Sequence, residues 1–221
     1  EAEAALQAHP DYKPEVKAVL SYNDDPRFEQ LLGDRLIEDA KRAFPGSKPE
    51  DTLILMTSHG LPLRLVQEGD DATKEMMELY GKVKARLEQE GYQVEHGYLN
   101  DDFFPGAEWT GPKAKVVAEK LVEDVIYKRR EAPKNVLLDG RLSFTVHHRA
   151  TLFDANTEVR EILTEPAGPA WSRFKGVNVT LAPNFDGDPR FGALIADLAV
   201  EALAGKAPET VTLLDGNGDG R

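Results

Sequence analysis

Residues 52–62 read TLILMTSHGLP, and the fold follows from how this stretch breaks. Leu53 to Met56 is a continuous apolar run that stops abruptly at Thr57, Ser58, His59 and Gly60. A short unbroken apolar run closed by small and polar residues reads as a strand buried on both faces, running into a loop. In open α/β sheets ligands bind beyond the carboxyl ends of the strands, so His59 stands where chemistry is usually done. The plainer alternative is a loop histidine that hydrogen-bonds backbone and does nothing more.

Outward from this strand the chain alternates. Val16 to Leu20 centres a strand, followed by Asp25 as N-cap, Pro26 as first helical residue and a helix to about Phe44. Behind His59, a loop over 60–71 leads to a helix from about Ala72 to Glu90, closed by Gly91. A strand is expected over Tyr92 to Tyr98, a helix over Lys113 to Arg130 and a strand over Val136 to Phe144, interrupted at Asp139-Gly140-Arg141. Thr145 to Leu163 reads as a loop and then a helix, Val177 to Ala182 as a strand, and Asp188 opens the last helix, which ends near Gly205. Strands alternating with helices define an α/β class with a largely parallel, doubly wound sheet.

The segment Asp25-Pro26-Arg27-Phe28 recurs as Asp188-Pro189-Arg190-Phe191, each time after a strand and at a helix start. A shared helix-start idiom would explain this, but four identities in one context favour an internal duplication of similar halves. The expected organisation is therefore 1–46 as the remnant of a first half, 47–205 as a second half, and 206–221 as an acidic, Gly-rich tail.

Composition narrows the function. A chain of 221 residues, 41% hydrophobic and 30% charged, is an ordinary globular polypeptide of one large or two small domains. A net charge of −12 argues against nucleic acid, since phosphate contacts need Lys and Arg. It suits solubility or attraction of cations. Without cysteine there is no thiolate catalysis and no Cys-ligated metal. No apolar run approaches the ~20 residues of a membrane span. The sequence opens at Glu1 and shows no signal-peptide pattern, and a cytoplasmic location is the expectation.

Candidate chemistry gathers at the expected carboxyl edge. His147 and His148 follow the strand ending at Phe144. Ala150, Asp154 and Glu158 share one face of an α-helix at i, i+4, i+8. Carboxylates beside histidines form a plausible path for a divalent cation, with a solvated helix face as the alternative. Trp109, with Phe103 and Phe104 nearby, could wall an apolar ligand pocket or simply pack its loop. His96, inside a strand, reads as structural, and His9, before a proline, as a surface residue. Asp215, Asn217 and Asp219 match the first half of an EF-hand calcium loop. The bidentate Glu of position twelve does not follow within this sequence, so a flexible acidic tail is the competing reading.

The stretch Ser58-His59-Gly60-Leu61-Pro62-Leu63-Arg64, with Gly69-Asp70 following, resembles the SxHGLPxR signature of the ferrochelatases. Three further stretches fall in that family's order. They are Tyr22 to Phe28, Glu108-Trp109-Thr110-Gly111-Pro112, which is similar to the family's EWLGP loop, and Ser143 to Asp154 with Glu158, which is similar to SFxxxHxETLYE. The resemblance implies two Rossmann-like halves, as in type II chelatases, with a porphyrin cleft between them. It implies His59 and His148 as catalytic, His59, Asp154 and Glu158 as metal-guiding, and Trp109, Leu61 and Pro62 as substrate-binding. The family's glutamate falls on Ala150, and its YQSR becomes Tyr98-Leu99-Asn100-Asp101. The implied substrates are a divalent metal ion, Fe²⁺ or alternatively Zn²⁺ or Co²⁺, and a porphyrin or haem. The tetrapyrrole is the expected partner, with a partner chain or an N-terminal half completing the pocket. Three readings stay open: a chelatase for haem synthesis, a non-catalytic tetrapyrrole- or metal-binding relative, and a cobalt or nickel chelatase.

Overall fold

The computed structural model describes residues 16–99, 106–127, 131–146, 149–165, 174, 176–206 and 210–214. The chain forms two compact units, Glu29–Gly187 and the pair Glu1–Phe28 with Asp188–Arg221. This grouping puts the last helix with the N-terminal strand.

The larger unit is built on strand β2, Thr52–His59, which is buried at every position except its last. Its neighbours are β3 (Gln93–Leu99), β4 (Asn135–Asp139) and β5 (Asn178–Leu181), in the order β3-β2-β4-β5. Every pairing is parallel, with Leu53 opposite Gln93 and Val136, and His59 opposite Leu99. The parallel α/β sheet expected from the apolar runs is thus present.

Helices lie on both faces because alternate strand residues are both apolar. Leu53, Leu55, Val136 and Leu138 pack with Ala118, Leu121 and Val125 of helix α4, Ala114–Tyr127. The opposite face carries Ile54 and Met56, both fully buried. There helix α3, Ala72–Gln89, touches β3, and its Arg86 reaches the Gln30 carbonyl and Asp34 of helix α1, Pro26–Ala43.

Several elements depart from expectation. Strand β2 runs on through Thr57, Ser58 and His59, because Thr57 Oγ1 donates to the Asp139 carbonyl at 2.8 Å and Gly60 N–H to the Leu99 carbonyl at 3.2 Å. The loop after Gly60 contains a short helix α2, Leu63–Gln67. Strand β4 stops at Asp139, not Phe144, since Ser143 and Phe144 turn back to donate to the Gly140 carbonyl. The segment Ala150–Val159 is a π-helix, not an α-helix, and continues as α5, Arg160–Thr164. Its buried residues, Ala150, Thr151, Ala155 and Val159, include steps of four and five, wider than an α-helical stripe and suited to i→i+5 bonding.

In the smaller unit β1 (Val16–Val19) pairs antiparallel with β6 (Thr210–Leu214), an exception to the expected parallel pattern and to a tail without regular structure. Helix α6, Pro189–Leu203, follows Asp188, whose Oδ1 accepts the Arg190 N–H at 2.8 Å. Asp25 accepts the Arg27 N–H at the same distance, so the two Asp-Pro-Arg-Phe segments share one cap geometry. Phe28 and Phe191 come together with Tyr22, ring centroids 4.9 to 6.5 Å apart. Arg27 also bridges Asp25 and Glu201, and it holds both carboxyls below the usual carboxylate range.

Candidate active site

His59 is the one exposed residue of an otherwise buried strand, delivered to the surface at the carboxyl edge of the sheet. Two contacts fix it. Its backbone N–H donates to Ser143 Oγ at 2.9 Å, and its ring meets Phe144 edge-on with centroids 6.0 Å apart. Ser143 Oγ in turn donates to Met76 Sδ at 3.0 Å.

Leu61, Pro62 and Trp109 are brought together by backbone pairing. Thr110 N–H donates to the Leu61 carbonyl at 2.9 Å, Leu63 N–H to the Glu108 carbonyl at 2.8 Å, and Leu61 N–H to Thr110 Oγ1 at 3.0 Å. Pro62 and Trp109 form an antiparallel bridge. The two motif loops thus form one lip beside His59, partly buried at all three side chains. The Trp109 indole nitrogen is buried without a hydrogen-bond partner among the described residues.

Asp154 and Glu158 sit on the π-helix and line a cavity of about 30 Å³ with Tyr98, Leu99, Lys113 and Lys115. Leu99 is also the register partner of His59, so the carboxylates and the histidine belong to the same sheet edge. Among the described residues no three His, Asp or Glu side chains converge as a metal cluster. His59, Asp154 and Glu158 therefore do not form a single closed coordination shell. Ala150 is 7% exposed and belongs to the apolar cluster of Leu99, Ala114 and Val159. The positions His147 and His148, Phe103 and Phe104, His9, and Asp215, Asn217 and Asp219 lie outside the described residues.

Two further features bear on the site, and their partners were not foreseen. Ser58 Oγ and His96 Nε2 share a buried hydrogen bond of 2.7 Å, locking the strand end from the adjacent strand. Tyr80 and Tyr98 crowd the same imidazole, and burial pushes it down to about 4. The folded protein thus keeps His96 neutral at a pH where the unfolded chain protonates it. Because the folded value is depressed, stability is complete above about pH 6.5 and is lost as pH falls, levelling off below about pH 4, with a total near 3 kcal/mol. Urea unfolding at pH 7 and pH 4.5 should show this loss in the wild type and about 2 kcal/mol less of it in His96→Gln. Equal losses in both proteins would remove His96 as the cause.

The second feature is Arg141, which is fully buried. Its Nε donates to Asp139 Oδ1 at 2.5 Å and its Nη1 to Asp39 Oδ2 at 2.8 Å. A signal was present in the sequence: Asp39 lies three residues beyond Leu36 and seven beyond Leu32, on the buried stripe of its helix. An acidic residue at core spacing calls for a buried cation.

A parallel sheet wrapped by helices, with a histidine at its carboxyl edge, a paired aromatic lip and a carboxylate-bearing helix alongside, defines an α/β protein of the open-sheet kind, the class that binds ligands beyond its carboxyl edge. The ferrochelatase family model matches residues 1–203, and the chain belongs to the ferrochelatase family. It is 25% identical over 181 residues to the mitochondrial ferrochelatase of Bos taurus, covering 82% of this chain and 39% of that protein. Against the mitochondrial ferrochelatase of Homo sapiens it is 27% identical over 169 residues, 76% of this chain and 36% of the relative. Against the coproporphyrin III ferrochelatase of Listeria monocytogenes it is 24% identical over 164 residues, 72% and 48%. The chain spans less than half the length of these relatives.

Proposed function

We propose that this protein inserts a divalent metal ion, Fe²⁺ foremost, into a porphyrin. The observation that carries the reading is the family match over residues 1–203, reinforced by the exposed His59 at the end of a buried strand. Insertion exchanges two pyrrole protons for one metal ion, so it needs a proton acceptor at the macrocycle and a route for the cation. Imidazole suits proton acceptance near neutral pH. On this reading His59 accepts the pyrrole protons with His148 as its second, Asp154 and Glu158 pass the hydrated ion along the sheet edge, and Leu61, Pro62 and Trp109 rest against the flat apolar ring. Carboxylates and imidazole together accommodate Fe²⁺, Zn²⁺ and Co²⁺. No helix among the described residues is long and apolar enough to cross a membrane.

A second reading is favoured by one observation: Ala150, where the family resemblance puts a glutamate, is buried in an apolar cluster. On it the protein binds a tetrapyrrole without inserting metal. The test is an anaerobic absorbance titration with protoporphyrin and Fe²⁺ or Zn²⁺. Loss of the free-base spectrum with turnover supports insertion. A bound-porphyrin shift without turnover supports the second reading, and no shift from a folded sample overturns both. Ala150→Glu is expected to lower stability by about 1–3 kcal/mol, since a carboxylate enters an apolar cluster, and to raise the insertion rate. An unchanged rate in the folded variant would favour pure binding.

A further inference from the structure

We infer that Arg141 is a positioning residue for His59, acting through the turn that carries Ser143 and Phe144. Strand β4 ends at Asp139, and the next five residues fold back on the Gly140 carbonyl, which accepts from Ser143 N–H at 3.3 Å and Phe144 N–H at 2.9 Å. Two contacts of His59 arise from this turn: Ser143 Oγ on its backbone N–H and the Phe144 ring on its imidazole. What fixes the turn is Arg141. Its guanidinium spans from Asp139 at the strand end to Asp39 on helix α1, and it lies 5.5 Å from the Phe185 ring. Its own N–H donates to Asp139 Oδ2 at 3.1 Å, and Phe185 N–H donates to the Thr145 carbonyl at 3.1 Å, closing the far side of the turn.

The buried carboxylates need their cation, but packing alone does not need the ionic trio as a whole. Two carboxylates and a guanidinium are withdrawn from water, which costs several kcal/mol per ion and is repaid only when the geometry is well satisfied. An apolar trio of like volume would fill the space as well. What the ion pairs supply is direction: a planar fork with fixed donors holds its partners at set angles, as a hydrophobic contact or a lysine cannot. Asp39 is itself braced by Arg42 at 3.3 Å and Arg35 at 3.6 Å, so the anchor for Arg141 is rigid on the helix side. The consequence falls on the neighbouring strand, at the end that His59 occupies.

The importance of this for catalysis rests on the function proposed above, but the coupling is measured without porphyrin. Amide hydrogen exchange followed by NMR reads the His59 backbone N–H directly, with Leu55, buried in the same strand, as reference. In Arg141→Lys and in Asp39→Asn, exchange at His59 is expected to rise about tenfold more than exchange at Leu55, the scale of losing one hydrogen bond locally on top of any global loss. Ser143→Ala should give the same change and proves that the probe responds. Should Arg141→Lys fail to fold, the isosteric Asp39→Asn carries the test. Exchange rising equally at His59 and Leu55 would show only global destabilisation and overturn the inference, as would unchanged exchange at His59 in folded variants. If wild-type protein leaves porphyrin spectra unaltered, the proposed function fails while this result stands. Where insertion is observed, kcat is expected to fall about tenfold in both variants with KM for porphyrin unchanged, since positioning alters the reacting geometry and not the pocket.

Discussion

Replacing His59 by alanine is expected to reduce metal insertion by a factor of about 10² to 10⁴, to or near the background rate. The argument is local. His59 is the exposed terminus of β2, so the substitution opens no cavity in the core, and the backbone N–H that meets Ser143 survives in alanine. Stability should therefore change by less than about 0.5 kcal/mol, as for most surface positions. What disappears is the imidazole itself. Following free-base porphyrin absorbance under anaerobic conditions, with a thermal melt of the same sample, separates the two effects. A variant that melts like the wild type and still turns over would remove His59 from the reaction.

Gly97→Ala is expected to destabilise the protein by about 3 kcal/mol or more. A Cβ at this position would lie 2.4 Å from Ala114 Cα and 2.8 Å from Ala114 N, both backbone atoms at the start of helix α4. No rotamer change relieves a backbone clash, so strand and helix must separate. The separation would reach the site, because Tyr98 N–H donates to the Pro112 carbonyl at 2.9 Å and the Trp109 lip precedes that proline. Urea denaturation measures the loss, and a value under about 1 kcal/mol would mean that α4 slides without penalty.

How much was legible beforehand differs by element, for physical reasons. Leu53 to Met56 and Val136 to Leu138 announced buried parallel strands because burial on both faces demands unbroken apolar sequence. The two Asp-Pro-Arg-Phe caps were legible because a cap is a local hydrogen bond between neighbours, and both form as expected. His59 was legible because strand ends in such sheets are where side chains leave the core. The pairing of β1 with β6 was not, since it joins Val16 to Leu214 across nearly the whole chain and neither strand carries a local signal of its partner. The π-helix was hidden as well. The positions Ala150, Asp154 and Glu158 fit an α-helical face nearly as well as a wider one, and only the step of five from buried Ala150 to buried Ala155 distinguishes them. Arg141 was seen as an interruption of a strand and not as an ion bound from behind by Asp39, because partners 102 residues apart leave no spacing to read.

Gly140 shows how closely that helix is set against the sheet: a Cβ there would lie 2.5 Å from Thr151 Cγ2. Removing one residue between Thr151 and Asp154 with the winding kept would turn everything downstream by roughly 80–100° around the axis. Glu158 would leave the edge it shares with Asp154, while Val159 and Leu163 would be carried out of the core they fill. The carboxylate line is thus tied to residue count as firmly as to residue identity. Substitutions along this segment can drift one at a time, but a single-codon deletion would cost the protein its packing and its acidic edge together.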